Sequence, residues 1–446
     1  MPDTPNIVFV HTDQQHHKTL SAHGNKWLKT PHLDRIAKEG YNFMESMSSN
    51  PVCCPARTCW YTGRTSKETG VLINSYPLQE HIPDLGQWLR KKTDYDAVYA
   101  GKWHVPNRDR SKSFDLIHPG HGQGEIGDSN TTRSAIGWML NRKSDKPFFL
   151  SVGFLNPHDC CYTGWPEGGP YKFSYGKALE KELPPLPDNW DRKNAQKNSK
   201  TRAWSELDWR YYIYNYFRMC EMADVEIGRI YDAVHRSRFA ENTVFIFSSD
   251  HGDGTGHHGR KSKGYLLDEA LRVPLIISWP GRYKSGARDW DNLVTGLDIP
   301  ATICELAGAP HLPDSTQSKS LVPILEGKAK APLRTYAVTE NSQSGLECAV
   351  RDKTYKSILS PKGQQLFNLA KDPLETKNLA RDPGHAEVLA QHKAQLKKYV
   401  NSIDYMRTPP NMKQLLKADK KGKRYPKGDL YTPANEFYDA AAKGAI

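Results

Sequence analysis

Four apolar runs in this chain do not alternate with polar residues, and that fact most narrows the folds open to it. They are Asn6-Ile7-Val8-Phe9-Val10-His11-Thr12, Ala97 to Ala100, Phe148 to Phe154, and Thr243 to Phe247. A strand with one wet face alternates; an unbroken run belongs to a strand covered on both faces. Helical spacing lies between the runs, at Leu33, Ile36 and Ala37, and at Ala223, Ile227, Ile230 and Val234 within a predicted helix over 207–234. Strands alternating with helices predict an α/β fold with a mostly parallel sheet flanked by helices. Each run also ends in polar, reactive residues: Asp13-Gln14, Lys102 and His104, Asn156 and His158, and Asp250-His251. Ligands of open α/β sheets bind beyond the carboxyl ends of the strands, so a site is expected along that edge.

The texture changes near residue 340, which divides the chain into a predicted α/β domain, 1–340, and a C-terminal subdomain, 341–446. Short strands are expected within 347–360, a turn at Ser360-Pro361-Lys362-Gly363, and a helix over 386–400. Between Arg407 and Lys427 stand eight Lys/Arg against one Asp. This reads as a solvated tail in preference to a substrate-binding strip. The last segment, to Ile446, carries no readable pattern.

The net charge of +12 points to an anionic partner. No arginine-rich arm, zinc finger or RNA-binding signature accompanies it, so nucleic acid is not the expected one. No run approaches the ~20 apolar residues of a membrane span. No signal-peptide pattern opens the chain. The expected location is therefore cytoplasmic if Met1 is native, and periplasmic or secreted if a leader has been removed. Eight cysteines at this length do not make a disulfide scaffold, and no Cys-x-x-Cys zinc spacing occurs.

The chemistry concentrates in Cys53-Cys54-Pro55-Ala56-Arg57, continuing to Thr62-Gly63-Arg64. Pro55 suits the first turn of a helix, where its missing N–H costs nothing, and Gly63 suits the stop. Cys53 then lies near a helix N-terminus, which favours an anion. Arg57, one turn on, is expected to point to the same place. A buried structural cysteine in a helix cap would need none of the seven fixed positions of Cys-x-Pro-Ala-Arg-x-x-x-x-Thr-Gly-Arg.

This motif closely resembles the signature of type I sulfatases, of the alkaline-phosphatase-like superfamily. The resemblance implies that Cys53, by register, is oxidised by a separate maturase to formylglycine (3-oxoalanine), whose hydrate attacks sulfur. It implies a metal site of Asp13, Gln14, residue 53, Asp250 and His251. Calcium is the expected ion, with magnesium or manganese as alternatives. Many family members carry Asp-Asp and Asp-Asn at the two strand-end pairs. Asp13-Gln14 and Asp250-His251 instead resemble a branch with choline sulfatases and phosphonate monoester hydrolases.

Further segments match the family's. Gly101-Lys102-Trp103-His104 implies Lys102 on a sulfate oxygen and His104 at the hydrate. Pro157-His158 implies His158 as a sulfate contact and general acid. Asp250-His251-Gly252, Gly256-His257-His258-Gly259, Lys263 and Arg272-Val273-Pro274 follow in family order. Lys263 is the expected second sulfate-binding lysine, with His258 or His257 ranked lower as leaving-group acids. His16-His17 stand where related chains often carry Arg and either reach substrate or line a solvated loop.

The reading is a sulfatase that hydrolyses sulfate monoesters, with a sugar as the favoured carrier. A phosphonate monoester or phosphodiester hydrolase with the same nucleophile is the alternative. A polyanion-binding protein with a dead site is a rival of another class, and the intact Cys53, Arg57, Lys102 and Lys263 argue against it. Specificity is expected in loops 107–133 and 159–200. Oligomeric state is not legible.

Overall fold

Strand β1 (Asn6–Asp13) lies inside an eight-stranded sheet, and its residues alternate between two separate cores. The computed structural model describes residues 4–74, 76–163, 177–343, 346–406 and 431–446. The strands that follow are β2 (Tyr41–Phe43), β3 (Ser46–Met47), β4 (Asp96–Gly101), β5 (Asp115–His118), β6 (Phe148–Pro157), β7 (Thr243–Ser249), β8 (Leu275–Ser278), β9 (Ala287–Asp289) and β10 (Val294–Thr295). The large sheet runs β5-β4-β6-β1-β7-β8-β2-β9, and β3 pairs with β10 outside it. Pairing is parallel from β5 through β7; β8 runs antiparallel to both its neighbours.

Ile7 and Phe9 pack on one face, with Trp60, Tyr61, Leu85 and Ile303. Val8 and Val10 pack on the other, with Leu33, Ile36, Met139, Ile227 and Ile230. This double cover is why the runs are continuous: each side chain of a strand leaves water whichever way it points. The second face is roofed by helices Pro31–Glu39, Gly124–Asn141 and Glu206–His235. The last of these is opened by a Ser205/Asp208 capping box. Among the described residues, no helix is long and apolar enough to cross a membrane.

A second sheet follows, the antiparallel meander β11 (Ala337–Asn341), β12 (Glu347–Arg351), β13 (Tyr355–Ser360) and β14 (Gly363–Asn368). β11 straddles residue 340. Cys348, Val350, Leu359 and Leu366 face Leu396 and Val400 of helix Ala386–Ser402, and Phe437 and Tyr438 of helix Tyr431–Lys443. That final helix lies where no pattern was legible. The basic stretch 407–427 lies outside the described residues. The other face of the meander, Ala349, Ile358 and Phe367, packs on Leu266, Leu267, Ala270 and Leu271 of the large domain. Beside this contact the buried Lys356 Nζ lies 2.6 Å from both Asp268 and Glu375, and Arg351 lies 3.0 Å from Asp268.

Candidate active site

The strand ends do converge. Asp13 closes β1, Lys102 follows β4, His158 follows β6, and Asp250-His251 follow β7. A helix spanning Cys53–Thr62 starts at Cys53 and stops at Gly63, whose φ of 68° no branched residue adopts without strain. The Gly63 N–H closes the last turn on the Cys59 carbonyl. Asp13, Cys53, Asp250 and His251 each place a donor atom within 4.8 Å of the others, and all four are buried. The Cys53 Sγ is 3.2 Å from His251 Nε2 and 3.8 Å from Asp13 Oδ1.

These residues fit a divalent cation on chemical grounds. Two carboxylates this close oppose one another's charge. Burial, and next the Asp13 charge, push Asp250 up to about 6. Burial also resists ionisation of Asp13, but Lys102, His158 and Arg57 outweigh it and hold that carboxyl well below its usual range. A cation between the two relieves the conflict. The imidazole is already oriented for one: His251 Nδ1 lies 2.9 Å from the Gly252 carbonyl, so it donates there and turns Nε2 toward residue 53; against burial, the Asp250 and Cys53 charges raise the ring to about 9, so a cation taken up at Nε2 displaces a second proton. Burial alone would raise the Cys53 thiol, yet Lys263, His251 and Lys102 bring it well below its ordinary value. The site favours an anion at position 53.

Arg57 does point to the same place as Cys53, and the negative groups it meets there are the two carboxylates. It is fully buried and brackets the two carboxylates, with Nε donating to Asp250 at 2.8 Å and Nη2 to Asp13 at 3.2 Å. Nη1 donates to the Lys102 carbonyl at 3.0 Å. It therefore holds Asp13 and Asp250 instead of facing open space. Lys102 pairs with Asp13, and Lys263 donates to Gln14 Oε1. The charges of Cys53, Cys161 and Asp13 overcome burial and keep Lys263 protonated.

Gln14 adopts φ 72° and donates its backbone N–H to Asp250 at 3.0 Å. Its side chain is clamped by Asp253, a residue the sequence reasoning missed. Gln14 Nε2 donates to Asp253 Oδ2 at 2.6 Å; Tyr212 Oη and the Thr255 N–H donate to the same buried carboxylate at 2.8 Å each. Because a carboxylate only accepts, the amide nitrogen must face Asp253 and Oε1 must face Lys263. An acid three residues past Asp250, in a chain with Gln14, was the available signal.

His158 is turned toward the cations. Burial first, then Lys263 and Lys102, bring its imidazole down to about 4. It is neutral near pH 7, unlike a ready general acid, and an anionic substrate beside it raises that value. His104 is exposed with φ 55°, and among the described residues its ring makes no hydrogen bond. His258 is not gathered with Cys53. Its N–H is tied to the Asn189 carbonyl at 3.0 Å, and its ring meets Asn189 at 3.0 Å and Glu269 at 3.3 Å. His257 lies beside it, 2.7 Å from Asn189 Oδ1. Of the expected specificity loops, residues 164–176 lie outside the described residues.

A strand-end cluster of this composition, on this sheet, agrees with what known proteins show. The sulfatase family model matches residues 5–309, and the model for the C-terminal part of N-sulphoglucosamine sulphohydrolase matches residues 256–402. This chain belongs to the sulfatase family, whose members carry formylglycine and a divalent metal, and it is a sulfuric ester hydrolase. Among its relatives is the Delta 4,5-hexuronate-2-O-sulfatase of Bacteroides thetaiotaomicron, 28% identical over 436 residues that cover 89% of each chain. The solved structure of a 2-O GAG sulfatase is 26% identical, with a TM-score of 0.77 over 90% of this chain and 92% of that one. The phosphonate monoester hydrolase of Agrobacterium radiobacter shares the fold at 22% identity, with a TM-score of 0.75 over 90% of this chain and 96% of that one.

Proposed function

We propose that this sulfatase removes sulfate from a sulfated carbohydrate, with Cys53, converted to formylglycine by a maturase, as the nucleophilic position. The observation that carries the reading is the gathering of Asp13, Cys53, Asp250 and His251 at one point, with Lys102 and Lys263 beside it. Support for a carbohydrate comes from the relatives, whose names specify a hexuronate and a GAG. Calcium is the proposed ion, with magnesium or manganese as alternatives, because two carboxylates and an amide oxygen make a hard donor set. When present, the ion polarises a sulfate oxygen and the aldehyde hydrate offers the attacking oxygen.

The chain's own residues do the rest. Lys102 and Lys263 hold sulfate oxygens as compact point charges, each releasing the Asp13 or Gln14 oxygen it now contacts. Arg57 fixes the two carboxylates so that neither reorients as charge develops. His251 keeps its proton on Nδ1. His158, neutral beforehand, becomes a donor to the leaving oxygen once an anion offsets the two lysines.

Two measurements test this. Peptide mass spectrometry on protein made with a maturase should find the Cys53 thiol replaced by a carbonyl and Cys54 unchanged. Turnover should then favour sulfated saccharides over phenylphosphonate and phosphodiesters. A preference for phenylphosphonate would move the assignment to the alternative hydrolase.

A further inference from the structure

A cavity of about 250 Å³ is lined by His16, His17, His257, Glu269 and Trp290, groups with no part in the reaction above. It is close to the site. His16 lies three residues beyond Asp13, a reach of no more than ~11 Å. On the other wall, the Glu269 carbonyl packs so tightly on Gly252 that a Cβ there would meet it at 1.9 Å.

The walls hold the ion-paired Asp268 and Arg272 and are rich in hydrogen-bonding groups of both kinds. His16 Nδ1 accepts from the Lys18 N–H at 2.9 Å, so the proton sits on Nε2, which has no hydrogen-bond partner among the described residues. His257 is the reverse: its Nδ1 donates to Asn189 Oδ1 at 2.7 Å, leaving the Nε2 lone pair open. The two rings are nearly parallel, 10° apart with centroids 6.1 Å apart. One donor beside one acceptor is what a hydroxyl group needs. Burial depresses the His257 imidazole to about 3 and pushes the Glu269 carboxyl up to about 8, so both are uncharged at neutral pH. Among the described residues neither Glu269 oxygen accepts a hydrogen bond, although His258 Nε2 stands 3.3 Å from Oε1, and His17 Nδ1 and His23 Nε2 are likewise unmatched. Buried polar atoms are seldom left so.

The rim differs. Trp290 is 49% exposed, and among the described residues Lys18 and Arg288 make no ion pair. An exposed indole and two cations, on a cavity that also offers buried donors and acceptors, suit a hydroxylated ring that bears a carboxylate or sulfate. We propose that this cavity is a second saccharide subsite, holding an anionic sugar unit next to the one whose sulfate is removed. A metal ion does not fit, since these donors do not cluster as those around Cys53 do.

The inference rests on the carbohydrate reading, and the experiment separates the two. Trp290→Ala and Arg288→Gln alter exposed side chains outside the catalytic cluster. Each should raise KM for a sulfated uronate-containing oligosaccharide by about tenfold, equivalent to ~1.4 kcal/mol. Each should leave kcat/KM for nitrophenyl sulfate unchanged. The Arg288→Gln effect should shrink with salt, and the Trp290→Ala effect should not. If the wild type hydrolyses the oligosaccharide and both variants match it, the subsite is refuted and the carbohydrate reading stands. If the wild type hydrolyses nitrophenyl sulfate but no sulfated oligosaccharide, both fall.

Discussion

Asp253→Asn is nearly isosteric, yet it should disable the metal site from outside. The carboxylate now accepts from Gln14 Nε2 at 2.6 Å, from Tyr212 Oη and from the Thr255 N–H. In the amide, the remaining oxygen stays with Thr255 and a new N–H₂ faces Gln14. The Gln14 amide must then turn over, which swings Nε2 toward Lys263 Nζ and sets donor against cation. A lost hydrogen bond to a charged group costs about 1.5–3 kcal/mol. At 1.36 kcal/mol per tenfold in rate, that is a loss of about 10- to 100-fold, the range expected for a residue behind a metal ligand. Metal titration of chelator-treated protein, and kcat/KM on nitrophenyl sulfate, would measure it, with thermal melting to confirm folding. In a Gln14→Ala background the same change should add little, because Asp253 acts through Gln14. Full additivity, or wild-type metal affinity and turnover in Asp253→Asn, would refute the reasoning.

Other outcomes follow from the same geometry. Cys53→Ala should abolish turnover and keep the fold, while Cys54→Ala, at a position buried in the packed core, should keep turnover at some cost in melting temperature. Lys102→Ala and Lys263→Ala should each lower kcat by on the order of 10²-fold, as loss of one preorganised donor does, measured on a small aryl sulfate. Stability should respond to pH through Asp128, which accepts from the Leu155 and Asn156 N–H groups and is pushed up by burial to about 7. Its folded value lies above the unfolded one, so the folded protein binds the extra proton. This contribution is present at low pH and is lost as pH rises from about 4 to 7. Asp128→Asn should flatten the slope of melting temperature against pH over that window.

The parts of the fold that were legible share one cause. A strand buried on both faces has no choice but an unbroken apolar run, and β1, β4, β6 and β7 all announced themselves so. The ends of those strands named Asp13, Lys102, His158 and Asp250 because packing has no use for them there. What escaped was direction. Arg57 is one turn from Cys53, but whether its guanidinium faces an open pocket or two carboxylates depends on the register of β1 against β7. Asp253 and Gln14 are 239 residues apart, and nothing local joins them. His258 reads as an active-site histidine until the Asn189 backbone turns it away. The helix Tyr431–Lys443 is set by Phe437 and Tyr438 meeting a sheet that only the fold supplies.

The meander and its buried lysine have a consequence for how the enzyme can be divided. Asp268 and Glu269 close the segment that begins at Lys263, and Asp268 is held from across the boundary by Lys356 and Arg351. A shortened chain ending near residue 335 would strip two of the three cations from this carboxylate, leaving it Arg272 at 3.4 Å, and bare Leu266 and Leu271 to water. The lysine assigned to sulfate would lose its backing with no residue of the catalytic cluster altered. The C-terminal sheet thus backs the segment that follows Lys263, with Asn341 Nδ2 donating to the Gly264 carbonyl at 3.0 Å. Damage at Lys356 or Arg351, far along the chain from Cys53, should register first as lost turnover.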